Sequence, residues 1–162
     1  MASKKLSEKE LENKILTTFA GVANAIGYAP LHGKIIGVLL VKDRPVSLQE
    51  LAKDTGYSLS MISLSLDFLE VLEVIKKLKK SGDRKLYVEL QGDLLEILKK
   101  AVIIRVNKTI MDSLIDYKED KKQINALNSE ESKRVTKTID VLEANLIRLK
   151  GYVDLLSELE LP

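Results

Sequence analysis

The chain has 162 residues, 45% of them hydrophobic and 31% charged, with a formal net charge of +2. That length suffices for one core, or for a small domain with long assembling helices. So small a net charge means that any nucleic-acid signal must come from where the charges sit.

There is no cysteine, and His32 is the single histidine. This excludes disulfides and thiolate chemistry, leaves a zinc site without its usual ligands, and gives acid–base catalysis little to work with. No metal, no cofactor and no enzymatic activity are expected. No apolar run reaches membrane-spanning length, and Met1-Ala2-Ser3-Lys4-Lys5 leads into charged helix rather than an apolar signal core. The expectation is a soluble, cytoplasmic protein with no membrane partner.

In chain order, Ser7 with Glu10 forms a capping box that opens a helix along Leu11, Ile15, Phe19, Val22 and Ile26, stopped at Gly27. Pro30 suits the first position of a second helix, which carries Ile35, Ile36, Val38, Leu39 and Leu40 and is apolar on most sides. Pro45 breaks it, and Pro45-Val46 is a candidate edge strand. Ser47 and Glu50 make a second capping box for a short helix that ends at Gly56. Ser58 caps the next helix, whose inward line is Ile62, Leu66 and Leu69. Two strands follow, Val74 to Lys79 and Leu86 to Leu90, joined through Lys80-Ser81-Gly82-Asp83.

The remaining third reads as long helix. From Asp93 to about Tyr117 a broad apolar face (Leu94, Leu98, Val102, Val106, Ile110, Leu114) predicts enclosure by other helices. Lys118-Glu119-Asp120-Lys121-Lys122 is a solvated charge run and predicts a break. Asn128 with Glu131 offers a third cap. Beyond it Val135, Ile139, Leu142, Leu146, Leu149, Val153 and Leu156 step by fours and threes, a heptad seam.

Helix, tight turn, helix and basic hairpin, in that order, make a winged helix-turn-helix. The predicted fold class is mainly α with a small β-hairpin wing, flanked by long dimerisation helices. With Ile62 inward, Ser60, Leu64 and Asp67 face outward, with Met61 and Ser63 on the flanks, at roughly 100° per residue. Serines suit phosphates or base edges, and Met61 and Leu64 suit thymine methyls. The alternative is that the serines are surface filler and Leu64 packs on a partner chain. In the hairpin, Lys76, Lys77, Lys79, Lys80, Arg84 and Lys85 are opposed locally only by Asp83. Such a loop neutralises phosphates and can place an arginine in the minor groove. Asp83 would fit there by orienting Arg84. His32 reads either as a structural residue or, with Lys34, as a phosphate contact at a helix terminus. Tyr57 is expected to pack in its turn.

Gly33-Lys34-Ile35-Ile36-Gly37, Ser47-Leu48-Gln49-Glu50-Leu51-Ala52, Gly56-Tyr57-Ser58-Leu59-Ser60-Met61-Ile62-Ser63 and Gly82-Asp83-Arg84-Lys85 together resemble the GbsR-like branch of the MarR superfamily of transcriptional regulators. The resemblance covers about residues 28 to 100. It implies a winged-helix homodimer on a pseudo-palindromic operator in double-stranded DNA, assembled through its terminal helices. The superfamily's Asp-x-Arg wing motif falls on Asp83 and Arg84, here adjacent. Its usual glycine after the recognition helix is Glu73. Some relatives respond to choline or glycine betaine, which want an aromatic cage. With no tryptophan and few aromatics, that ligand is not carried over, and a small-molecule effector stays unidentified.

The expected regions are therefore 1–27, an N-terminal dimerisation helix; 28–91, the DNA-binding winged helix; and 92–162, a C-terminal helical dimerisation region. The helix from Leu59 to about Leu72 would enter the major groove through Ser58, Leu59, Ser60, Met61, Ser63 and Leu64. Ser47, Lys53, Lys77, Lys79, Lys80 and Lys85 would hold phosphates, with Arg84 in the minor groove. Dimerisation would rest on Leu11, Ile15, Phe19 and the seam Val135, Ile139, Leu142, Leu146, Leu149, Val153 and Leu156. The competing reading is a winged-helix protein-interaction module, suggested by the apolar outward side chains Met61, Leu64 and Phe68.

Overall fold

The computed structural model describes residues 6–127 and 129–161, and the chain divides into two units, one through Asp93 and one from Leu94. The first begins with α1 (Glu8–Ala25), opened by the expected box: Ser7 N–H donates to Glu10 Oε2 at 2.7 Å and Glu10 N–H to Ser7 Oγ at 3.3 Å. The helix packs on α2 (Pro30–Lys42), and not chiefly through the apolar line that contains Leu11 and Ile15. Its buried residues are Leu16, Ala20 and Ala23, while Leu11, Ile15 and Val22 stay exposed. The cause is on α2. A Cβ at Gly33 would lie 2.0 Å from the Phe19 carbonyl oxygen, and one at Gly37 would lie 3.3 Å from Leu16 Cα. Two backbones this close demand the small-residue side of α1.

Pro30 opens α2 and Asp43, in the left-handed region at φ 48°, closes it before Pro45 is reached. The strand β1 (Val46–Ser47) follows directly. The helices α3 (Leu48–Thr55) and α4 (Leu59–Val71) are each capped as expected, by Ser47 and Ser58. Gly56 between them takes φ +77°, a conformation that a Cβ penalises. Glu73 then adopts φ +58° where the chain leaves α4 for β2 (Ile75–Lys79). β3 (Leu86–Leu90) pairs antiparallel with both other strands, giving the order β1-β3-β2. Ile75 faces Leu90 and Lys79 faces Leu86 across the hairpin, and Val46 faces Val88. Ile35, Val46, Leu51, Ile62, Leu66, Ile75 and Val88 form the fully buried core. Each such side chain contributes about 1.5–3 kcal/mol on burial. The unit is a helical layer closed by a small antiparallel sheet, a winged helix.

The second unit is a helical pair, α5 (Leu94–Asn125) and α6 (Glu130–Glu158). The break expected at Lys118–Lys122 is not there; α5 runs through it. Lysine and glutamate are good helix formers and no proline or glycine interrupts. Lys121 also reaches α6, where it bonds Asp140 Oδ1 at 3.0 Å and Glu143. The expected cap at Asn128 lies outside the described residues. Ser129 caps α6 instead, exchanging bonds with Ser132 at 3.0 and 2.9 Å.

The predicted enclosure of α5 and the single seam of α6 both need correction. Of the apolar face of α5, Ile110 is buried along with Ile97, whereas Leu94, Leu98 and Val102 are exposed. On α6, Ile139 and Val153 are buried and Leu146 half-buried, but Val135, Leu142, Leu149 and Leu156 remain exposed at a spacing of seven. Ile139 and Val153 are thus unavailable to a second chain. Among the described residues no helix is long and apolar enough to cross a membrane.

Candidate nucleic-acid interface

The turn into α3 is tied by a three-residue cluster. Glu50 Oε1 accepts from Arg44 Nη2 at 2.7 Å, and Glu50 Oε2 accepts from Ser47 N at 3.1 Å and lies 3.2 Å from Ser47 Oγ. The Arg44 guanidinium first, then the Ser47 amide, holds the Glu50 carboxyl down at about 2. Ser47 is itself buried, and its hydroxyl accepts from Glu50 N–H at 3.3 Å. The phosphate role expected of Ser47 is therefore set aside, because its oxygen is committed to the cap. Lys53 is exposed on α3. It edges a groove of about 280 Å³ whose walls include Asn13, Leu16, Val38 and Asp54.

Lys34 is not aligned with His32 at the start of α2. Its Nζ donates to the Thr55 carbonyl at 3.5 Å and lies 5.2 Å from the Tyr57 ring centroid, so it closes the end of α3. His32 stacks on Phe68 with centroids 4.7 Å apart and 27° between planes, and Tyr28 meets it edge-on at 6.4 Å. Its Nδ1 is buried without a hydrogen-bond partner, and burial pushes the imidazole pKa down. A desolvated neutral ring is a poor phosphate ligand, which corrects that alternative in favour of the structural one. The stack joins α2 to α4, a link no local pattern announces.

On α4, Ser58 Oγ accepts from Met61 N–H at 3.3 Å and lies 3.0 Å from Ser60 Oγ. Ile62, Leu66 and Leu69 point into the core as expected, joined by Ser65. The outward side is unusually apolar. Leu64 is 74% exposed, Val71 80%, Met61 49% and Leu59 49%. Ser60 and Ser63 are exposed beside them, and the helix has no lysine or arginine.

The hairpin is less cationic toward solvent than its sequence. Lys77 Nζ bonds Asp67 Oδ1 at 2.6 Å and Glu70 Oε2 at 2.7 Å, and these acceptors, Asp67 first, raise its pKa. It is a strut between β2 and α4 rather than a phosphate ligand, and it neutralises the carboxylates on the outward side of α4. Lys76 is paired with Glu89 at 2.8 Å. Asp83 does not orient Arg84. It accepts from Lys85 N–H at 2.9 Å and from Tyr87 O–H at 2.8 Å, and these bonds, the amide first, keep its pKa low. Lys80 Nζ sits 4.2 Å over the Tyr87 ring. The wing turn is thus folded on Tyr87, a role that its place in the strand pattern does not signal. Lys79, Arg84 and Lys85 are exposed, and none forms an ion pair among the described residues. The Asp67–Glu70 spacing of three on one helix face was the available signal for the Lys77 strut.

No family model matches this chain, and no curated protein matches it. Among solved structures, the crystal structure of a transcriptional regulator is 21% identical, with a TM-score of 0.59 over 90% of this chain and 95% of that one. AbsC, a MarR family transcriptional regulator from Streptomyces coelicolor, is 18% identical over 92% of this chain and 99% of that one, with a TM-score of 0.44. A mutant MepR of S. aureus bound to an oligodeoxyribonucleotide is 15% identical over 88% and 92%, with a TM-score of 0.44. At 21% identity the first likeness is one of fold alone, the winged helix.

Proposed function

We propose that this chain is a cytoplasmic, non-enzymatic transcriptional regulator that binds double-stranded DNA sequence-specifically, as a homodimer on a pseudo-palindromic operator. The observation that carries the reading is the first unit itself: an exposed α4 braced by Lys77 against a hairpin whose tip leaves Lys79, Arg84 and Lys85 open to solvent. Exposed cations on a loop neutralise phosphates, and an exposed helix beside such a loop suits the major groove. A solved transcriptional regulator shares the fold. The motif series from Gly33 to Lys85 favours the GbsR-like branch of the MarR superfamily.

In this reading α4 contacts the groove with Ser58, Leu59, Ser60, Met61, Ser63 and Leu64, and Lys53, Lys79, Lys80 and Lys85 hold phosphates. Arg84 enters the minor groove. Assembly uses the uncovered apolar lines: Leu11 and Ile15 on α1, and Val135, Leu142, Leu149 and Leu156 on α6. Two-fold symmetry places half-sites about 10–10.5 bp apart, or a multiple of that. The test is fluorescence anisotropy with duplex DNA across salt concentrations. Binding at low salt that steepens with wing charge supports the reading, and Arg84→Ala lowers both affinity and salt slope. Absence of binding at low salt refutes it and favours a protein-interaction module, to which the exposed Met61, Leu64, Phe68 and Val71 would point.

A further inference from the structure

The thirteen residues of α4 contain no arginine, lysine, histidine, asparagine or glutamine. Each omission removes one kind of base reading. Guanine offers two acceptors in the major groove, which a cationic fork recognises, and adenine offers the donor–acceptor pair that a side-chain amide matches. Neither reader is present. The two carboxylates on the outward side, Asp67 and Glu70, are both engaged by Lys77. What α4 holds out instead is the isobutyl group of Leu64, 74% exposed, and the thioether of Met61, 49% exposed. The hydroxyls of Ser60 and Ser63 lie beside them. A hydroxyl bonds donors and acceptors alike, so it discriminates weakly. The 5-methyl group of thymine is the one feature of the major-groove floor that an apolar side chain recognises.

Resting on the DNA-binding reading above, we infer that the half-site beneath α4 is thymine-rich and is read by Leu64 and Met61 through thymine methyl groups. Charge complementarity is divided between elements: α4 brings none, while Lys79, Lys80, Arg84 and Lys85 on the hairpin bring the phosphate neutralisation. The same base composition serves Arg84, since A·T tracts narrow the minor groove and deepen its negative potential. Burying one methyl group against an apolar side chain is worth about a fourfold change in affinity.

The experiment uses the full chain. A randomised duplex pool is selected by binding, and the enriched duplex is then synthesised with deoxyuridine in place of thymidine, which deletes only the methyl groups. The expected result is a consensus rich in A·T pairs and a loss of about fourfold per contacted thymine in the uracil duplex. Leu64→Ala and Met61→Ala should each shrink the thymine–uracil difference. Both positions are exposed, and a far-UV spectrum with a melting curve establishes that the variants fold. Equal affinity for thymine and uracil duplexes, or a consensus built on guanine steps, overturns the inference and leaves DNA binding standing. Failure to retain any duplex at low salt overturns the DNA-binding reading, and this inference with it.

Discussion

Replacing Gly33 by alanine tests the contact on which the packing of α1 depends. An added Cβ would lie 2.0 Å from the Phe19 carbonyl oxygen, 2.4 Å from its carbonyl carbon and 2.8 Å from Ala20 N. All three are backbone atoms, so no side-chain rotation relieves the clash. An ordinary carbon–oxygen contact is about 3.3 Å or longer, which requires α1 to retreat by roughly 1 Å and lifts Leu16, Ala20 and Ala23 from α2. Overpacking of this kind costs about 1–3 kcal/mol and occasionally more, and the lost burial places this case at the upper end. Alanine returns about 1 kcal/mol through its better helix propensity. The net expectation is a loss of about 2 kcal/mol, read as a Tm lower by roughly 4–8 °C. Gly21→Ala on α1 is the internal control, because nothing lies within 4 Å of its Cβ position. There only propensity acts, and stability should rise by about 0.5–1 kcal/mol. Thermal unfolding followed at 222 nm compares the two. A Gly33→Ala protein as stable as the parent would refute the close approach of these helices.

Three further outcomes are expected. The Glu50 carboxyl is held at about 2 against an ordinary 4.5, so its contribution is full above about pH 5 and is lost as pH falls toward 2. Taken at face value that is about 3 kcal/mol, reduced to roughly 1 kcal/mol because both partners of the Arg44 pair are partly exposed. Glu50→Gln should flatten the acid limb of a stability-versus-pH curve, and an unchanged limb would show that other carboxylates govern it. At Glu73, φ +58° burdens any side chain, so Glu73→Gly should raise stability by up to about 1 kcal/mol, net of the added chain entropy. A lower Tm would mean that the Glu73 side chain contributes more than its backbone costs. Leu149→Glu places a charge on the exposed line of α6 that recurs every seven residues, without entering its buried side. Sedimentation should then show a shift to monomer, and a dimer of undiminished affinity would move the interface elsewhere.

Features under short-range control were legible along the chain. The Ser7–Glu10 and Ser47–Glu50 boxes, the Ser58 cap, the left-handed Gly56 and the two hairpin strands all depend on groups within a few residues of one another. Their order alone specified a winged helix, and the inward line Ile62, Leu66 and Leu69 followed from helical period.

Packing between distant segments selected which of several apolar or charged faces meets which neighbour. Gly33 turned α1 onto its small residues and left Leu11 and Ile15 outside. Lys77, one of five lysines in the hairpin, was claimed by Asp67 and Glu70 across ten and seven residues, and Asp83 went to Tyr87 instead of Arg84. On α6, packing kept Ile139 and Val153 and released Leu142 and Leu149. In every case the deciding energy lies in the steric fit or charge pairing of two segments. Neither segment carries that information until the fold brings them together.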